Sequence, residues 1–452
     1  MKKIISLLLV VVLSLGMLAS VNVFANEKAD DLVFDGVSIS LSDSIAMNFY
    51  VSEDITEKYD EIKLYVSLEN RVDILDLDED YYFFSFSNIT PDLMSKDITF
   101  KMVATLNGVT YENEEKTYSV GAYLYDVLAL YNVASVATEN IKICRLVIDT
   151  LNYGAGTEKY VNPSLEDSEL VNAKLSTEWK AWRGEPVKEY TNVKDPKYVT
   201  IDSPSVAWKS ATLNLYDKVR MKINFETESI EDLYMEVRDD KGQLMAEASA
   251  EDFVSAGGNT YTYTFSRVAP SQFASRLLFT IYKNGVPVSD TLSYSVESFL
   301  YSKKTSANAE LAKLVYYIGI YGDSSNKYTC MHSNLITHNE VAAKCTVDGC
   351  EKYFECADCG SLFSDSAHTK EVLHSDLIIK SVGHIWETTW SSNSKAHFHK
   401  CKNCSATADK ENHVYDDEND SYCNVCMEAR SIILPPMPLR YLETWKAIFL
   451  KS

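Results

Sequence analysis

The sequence predicts a mainly β protein with some α: two β-sandwich-like modules, each followed by short helices, and then a run of small Cys/His units. Three observations predict it. Apolar residues alternate with polar ones at period two in two separate stretches, which puts every second side chain on one buried face of a strand. Matching blocks recur in the same order at an offset of about 170 residues, the mark of a duplicated unit. Nine of the ten cysteines and all eight histidines fall between Cys330 and Cys426.

The N-terminus comes first. Lys2 and Lys3 precede an apolar run from Ile4 to Leu13, and Val23-Phe24-Ala25 stands ahead of Asn26. This is the layout of a secretory signal peptide over residues 1–25, cleaved before Asn26. A membrane anchor needs ~18–20 unbroken apolar residues, and Ser14, Gly16, Ser20 and Asn22 interrupt this run. No later stretch is apolar enough to span a bilayer, so the mature chain is expected to be secreted and extracellular, with association to a cell surface left open. Sixty-five acidic side chains against 43 basic ones give a net charge of −22. A surface that negative repels phosphate backbones, which excludes nucleic acid and leaves an extracellular glycan or protein as the partner class.

The first module is read over residues 31–160. Val37, Ile39 and Leu41, then Ile45, Met47, Phe49 and Val51, form two strands broken by Ser42-Asp43-Ser44. The second, over 201–325, repeats this with Ala211, Leu213 and Leu215, a break at Tyr216-Asp217-Lys218, then Val219, Met221, Ile223 and Phe225. Asn107-Gly108 and Asn284-Gly285 each sit between apolar runs, the strongest short-range hairpin signal. Thr117-Tyr118-Ser119-Val120 and Ser293-Tyr294-Ser295-Val296 close the two sheet regions. Ile143, Leu146 and Val147 then lead to Tyr153-Gly154, and Leu311, Leu314 and Val315 to Tyr321-Gly322; each glycine is expected to cap a helix C-terminus. Residues 161–200, with Pro163, Pro186 and Pro196, read as linker with a helix over Leu170–Trp182.

The Asn48-Phe49-Tyr50 strand, the Tyr-Ser-Val strands and the Leu151-Asn152-Tyr153-Gly154 helix end resemble a module of secreted proteins of gut Firmicutes. The resemblance spans roughly residues 31–325. It implies an extracellular bacterial setting and a β-rich fold, and it carries over no catalytic residue.

Neither module offers obvious chemistry. No histidine precedes His332 and the only cysteine before Cys330 is Cys144, so no Ser–His or Cys–His nucleophile can be built there. Cys144 lies on the apolar side of its helix and reads as a buried structural thiol. Asp76-Leu77-Asp78-Glu79-Asp80 starts like a calcium loop, but Tyr81 stands where glycine is needed and Ser87 where a bidentate glutamate is needed, so it reads as an acidic turn. Paired carboxylates for glycoside hydrolysis have many candidates and none singled out. The 29 tyrosines serve strands as readily as sugar platforms.

The region 328–430 is different. Cys356/Cys359, Cys401/Cys404 and Cys423/Cys426 are three C-x-x-C pairs, a spacing that lets two thiolates reach one tetrahedral ion. Disulfides are the alternative in a secreted chain, but they give the clustered histidines no role. The first zinc set expected is His332, Cys345, Cys356 and Cys359, with Cys330 and Cys350 near enough to substitute or to pair. The second is His384, His399, Cys401 and Cys404, with His397 on the same face of an extended segment as His399. Tyr353 to Asp365, Gly383-His384-Ile385-Trp386 and Cys423-Asn424-Val425-Cys426 resemble tandem C-terminal Cys/His repeats of secreted Firmicutes proteins, which implies zinc-ribbon-like units. Against those repeats the third set, His413, Cys423 and Cys426, is expected to be incomplete. Asn419 stands where the repeats have a further cysteine, and Met427 where they have glycine. Beyond Arg430, residues 431–452 hold no cysteine or histidine. The expected function is a non-enzymatic extracellular binding or structural protein with structural zinc. An extracellular polysaccharide hydrolase and a partner-docking zinc module are the alternatives.

Overall fold

The structure is a computed structural model that describes residues 8–9, 27–136, 140–166, 170, 175–181, 200–215 and 218–430. Apart from Leu8–Leu9, which pair antiparallel with Ile39 and Ser40, the expected signal peptide lies outside the described residues. So do Tyr216-Asp217, the 431–452 tail and residues 182–199.

In the first module, β1 (Gly36–Leu41), β2 (Ile45–Tyr50) and β5 (Phe83–Ile89) form one antiparallel sheet in the order β1-β2-β5. The second sheet runs β7 (Val109–Glu112), β6 (Ile98–Leu106), β3 (Glu61–Leu68), β4 (Arg71–Asp76), with β8 (Lys116–Tyr118) also on β6. The period-two pattern of the sequence reappears as burial. Ile39, Met47, Phe49, Phe84 and Phe86 of one sheet meet Leu64, Val66, Phe100 and Met102 of the other in a single core.

The second module repeats this strand for strand. β9 (Ala207–Asn214), β10 (Arg220–Glu226) and β14 (Thr260–Phe265) match the first sheet, and β13 (Val254–Gly257) is added at its edge. β12 (Leu244–Ser249), β11 (Leu233–Asp239), β15 (Leu277–Lys283) and β16 (Val286–Pro287) match the second, with β17 (Leu292–Tyr294) on β15. Asn107-Gly108 and Asn284-Gly285 turn equivalent hairpins. Both central residues are left-handed in each, with φ of 50° and 79° in the first and 51° and 78° in the second. That is the turn whose twist matches the flanking strands.

The helices depart from expectation. α1 (Val120–Ala129) and α3 (Val296–Lys303) are short, each capped by a serine, Ser119 and Ser295, that accepts from the third backbone amide on. α2 (Ile141–Val161) and α4 (Ala309–Thr329) are 21 residues each, and Gly154 and Gly322 lie inside them rather than at their ends. Close approach is the reason. A Cβ on Gly154 would sit 2.6 Å from Leu170 Cδ1 and 2.9 Å from Met94 Sδ, and one on Gly322 would sit 2.7 Å from Phe273 Cδ2. Met94 and Phe273 follow matching 3-10 turns, Pro91–Leu93 and Pro270–Gln272, that rest on the two helices.

α2 and α4 pack on each other. Tyr153 and Tyr321, at matching positions of the two copies, stack with ring centroids 5.0 Å apart, as equivalent residues do at a two-fold axis. Leu146 and Tyr153 of α2 belong to the core of the second module. The matched turns of the modules are joined by an ion pair, Lys218 Nζ to Asp43 Oδ2, at 3.3 Å. Of the expected linker helix, Thr177–Ala181 is helical, and Leu170, Leu175 and Trp179 are buried against the first module. Both modules fall in one compact unit with residues 355–373, and residues 337–354 and 374 onward form a second. Among the described residues no helix is long and apolar enough to cross a membrane.

Helix propensity alone favours alanine over glycine by about 1 kcal/mol inside a helix. At Gly322 the Phe273 ring reverses the sign: Gly322→Ala should destabilise the first unit by about 1–3 kcal/mol in a denaturant titration. A gain in stability would show that the ring yields.

Candidate metal centres

Among the described residues, eight of the ten cysteines and four of the eight histidines come together in three sets of four. Cys330, His332, Cys356 and Cys359 form the first; Cys345, His384, Cys401 and Cys404 the second; His397, His413, Cys423 and Cys426 the third. In each, the four ligand atoms lie within 4.8 Å of one another.

The first two share one internal layout. A cysteine from outside the C-x-x-C pair approaches its first member: Cys330 Sγ lies 3.6 Å from Cys356 Sγ, and Cys345 Sγ lies 3.6 Å from Cys401 Sγ. A histidine Nδ1 faces the second member: His332 is 3.3 Å from Cys359 Sγ, and His384 is 3.4 Å from Cys404 Sγ. In the third, His397 Nδ1 takes the place of the outside cysteine at 3.7 Å from Cys423 Sγ, and His413 Nδ1 is 3.4 Å from Cys426 Sγ. A tetrahedral ion with metal–sulfur bonds of ~2.3 Å and metal–nitrogen bonds of ~2.0 Å has edges of about 3.3–3.8 Å. A disulfide needs ~2.05 Å. None of the ten cysteines is disulfide-bonded, and the observed edges have the size an ion requires.

Local structure aims these groups. Cys330 caps the C-terminus of α4, and His332 follows it in a left-handed conformation, φ 52°. Cys356 ends the strand Tyr353–Cys356, and Gly360, φ 74°, turns the chain so that its amide meets Cys356 O at 2.7 Å. Backbone amides point at the sulfurs: His332 N donates to Cys330, Ser361 N to Cys359, Asn403 N to Cys401, Ala406 N to Cys404 and Val414 N to Cys423, all at 3.4–3.5 Å. Such donors stabilise thiolate charge before and after an ion binds. His413 donates its Nε2 proton to Asn393 O at 2.7 Å, which fixes the tautomer with Nδ1 free to ligate.

The protonation pattern follows. Burial, then Lys142 and His368, bring His332 down to about 4, so it stays in the neutral, ligating form. Burial and the neighbouring Cys401 and Cys404 push Cys345 up to about 11. Burial also acts on Cys401, but the Asn403 amide, His384 and the Ile385 amide outweigh it and hold it at about 6. Cys423 is held at about 5 against its burial by the amides of Cys426, Val425 and Val414 and by His413.

The first set is seated on the two-module unit. Lys142 Nζ of α2 lies 2.5 Å from His332 Nε2. Arg145, also on α2, pairs at 3.7 Å with Glu371 from the hairpin that follows the Cys356–Cys359 turn, and both side chains are 6% exposed. Asn326 of α4 donates to Asp358 O at 3.2 Å.

Ten of the eleven residues singled out from the sequence are brought into these sets, but in a different partition. Cys345 belongs to the second set rather than the first, and Cys330 fills the place it was given. His399 joins none. It stacks on Trp390 at 4.0 Å, while His397, two residues back and edge-on to the same ring, reaches the third set. The third set is therefore complete with four ligands, and Asn419 instead donates its amide to Asp417. Cys350, on the strand Gly349–Cys350, belongs to no set among the described residues. A sequence signal for the two missed ligands existed: Cys330 and His397 each precede the first cysteine of their pair by 26 residues. Met427 does adopt the left-handed conformation its position calls for, φ 61°.

No family profile matches this chain, and no curated protein matches it in sequence.

Two outcomes are expected here. Met427→Gly removes a left-handed non-glycine residue, so it should stabilise the third set by about 0.5–1 kcal/mol, read as a higher chelator concentration for half-release. Asn393 O, then Cys423, raise the pKa of His413, which favours its protonated form and lets acid compete with the ion at a higher pH than at His332. In cobalt-loaded protein titrated from pH 7 to 4, absorption from the Cys2His2 set should therefore be lost before that of the His332 set.

Proposed function

We propose that this is a secreted, non-enzymatic extracellular binding or structural protein whose Cys/His units are held by structural zinc. One observation carries the reading: each set supplies four protein ligands, which closes a tetrahedral shell. A catalytic zinc keeps one position for water. Mixed thiolate and imidazole donors favour zinc over the oxygen-seeking magnesium, calcium and manganese ions. The remaining chemistry points the same way, because no histidine lies within either module and Cys144 is buried, with its thiol pushed up to about 12 by desolvation. Secretion is supported by the signal-peptide layout of residues 1–25, and the net charge of −22 suits a protein that meets glycans or proteins rather than nucleic acid.

The zinc also answers a physical need. Among the described residues of the second unit, the buried apolar side chains are Cys345, Leu377, Ala396, Phe398, Cys401 and Cys423, and three of these six are ligands. A core that small cannot hold a fold, whereas a structural zinc contributes on the order of 10 kcal/mol.

Protein purified from the medium of a secreting host should begin at Asn26 and carry three zinc ions per chain by elemental analysis. Cys359→Ser, Cys404→Ser and Cys426→Ser should each remove one. Zinc content untouched by all three, or turnover of a polysaccharide that one Asp or Glu substitution within 31–325 abolishes, would overturn this reading.

A further inference from the structure

The three sets differ in one respect that bears on oxidation. In the first, a dithiol pair lies across the shell with its outer member half-buried. Cys330 is partly open to solvent at the end of α4, whereas His332, Cys356 and Cys359 are buried. In the second set the equivalent pair, Cys345 and Cys401, is buried at both ends, and the exposed thiol is Cys404, which faces His384. In the third set His397 occupies the outside position, so the equivalent dithiol does not exist.

We propose that Cys330 and Cys356 form an oxidation site at which a hydroperoxide closes a disulfide and opens the first metal set. This rests on the zinc reading above. The two sulfurs are 3.6 Å apart, so bond formation requires them to close by about 1.5 Å, within reach of side-chain rotation on a knuckle and a helix end. The Cys330 thiolate, supported by the His332 amide at 3.4 Å, attacks one peroxide oxygen. The O–O bond breaks, Cys330 becomes a sulfenic acid, and the other oxygen leaves as an alcohol or water with a proton from solvent. The Cys356 thiolate then attacks the Cys330 sulfur. The S–O bond breaks, hydroxide leaves and takes up a second proton, and the S–S bond forms. Two electrons pass from the two sulfurs to the peroxide. Cys359 and His332 are left as two ligands of a four-ligand shell, too few to retain the ion.

The same set is seated against Lys142, Arg145 and Asn326 of the long helices. Its opening is therefore an event of the two-module unit, and the segment leading into the hairpin that carries Glu371 exchanges its metal restraint for a single covalent tie to the end of α4.

The test uses full-length, zinc-loaded protein and hydrogen peroxide, with zinc release followed by a chromophoric chelator and disulfides mapped by non-reducing peptide mass spectrometry. The first equivalent of zinc released should appear together with a Cys330–Cys356 linkage, and a dithiol reductant plus zinc should restore both. Cys330→Ser removes a ligand as well as a thiol, so the deciding variant is Cys330→His, which copies the third set by offering a fourth ligand without the dithiol. Release from that set, expressed per zinc initially bound there, should slow at least tenfold. A first linkage between other cysteines, or release unaffected in Cys330→His, would overturn the proposal while leaving the zinc reading intact. Absence of zinc from the first set of the untreated protein would overturn both.

Discussion

The contact between α2 and α4 is the constraint on which the first unit depends. Each helix closes its own sandwich, yet Leu146 and Tyr153 of α2 reach into the neighbouring core. The approach is made possible by missing side chains: a Cβ on Gly156 would meet Tyr317 Cδ2 at 2.6 Å, and Gly154 and Gly322 admit Met94 and Phe273 in the same way. Glycine inside a helix costs roughly 1 kcal/mol in propensity. The tertiary contact offsets it, because fully burying aromatic and aliphatic side chains is worth ~1.5–3 kcal/mol each. The stacked Tyr153 and Tyr321 pair shows what gene-level repetition looks like in space: two copies joined through equivalent residues, as the halves of a symmetric dimer are.

The same two helices build the seat of the first metal set. α4 ends at Cys330, and α2 presents Lys142 and Arg145 to it. A buried Arg–Glu pair is a poor source of stability, since desolvation takes back most of the attraction. Its effect is directional. With Arg145 in a buried place and Glu371 on the metal-bearing hairpin, any arrangement that separates them leaves a charge without water or partner, so the ion pair selects one seating of the hairpin on the helix.

The second unit solves the opposite problem. Its polar segments bring few apolar side chains together, and the sulfurs themselves supply much of what is buried. There the candidate ligands are the core rather than an ornament on it. The amide-to-sulfur hydrogen bonds at Cys401 and Cys423 favour negative charge on those two sulfurs, which lowers the cost of gathering thiolates around an ion.

How much of this was legible in the sequence divides along a physical line. Properties set by near neighbours were legible: period-two strands, the Asn-Gly turns and the C-x-x-C pairs, because each depends on spacing within a few residues or on a short loop. The repeat was legible too, since duplication preserves order. Three things were decided by the path of the chain in space. Gly154 and Gly322 read as helix ends because a glycine's local signal is the same whether it turns the chain or clears room for a neighbour, and only Met94 and Phe273 distinguish the two. The fourth ligand of each set comes from 26 to 56 residues before its pair, so its choice depends on where distant segments are carried rather than on local spacing. His397 and His399 share a strand face and both meet Trp390, so strand alternation does not separate them, and only the 26-residue interval to Cys423 marks His397. The sequence by itself determined the strands, the turns and the donor types; the tertiary structure decided which donors share an ion, because ligand identity is a matter of three-dimensional distance and chain spacing fixes that distance only across short loops.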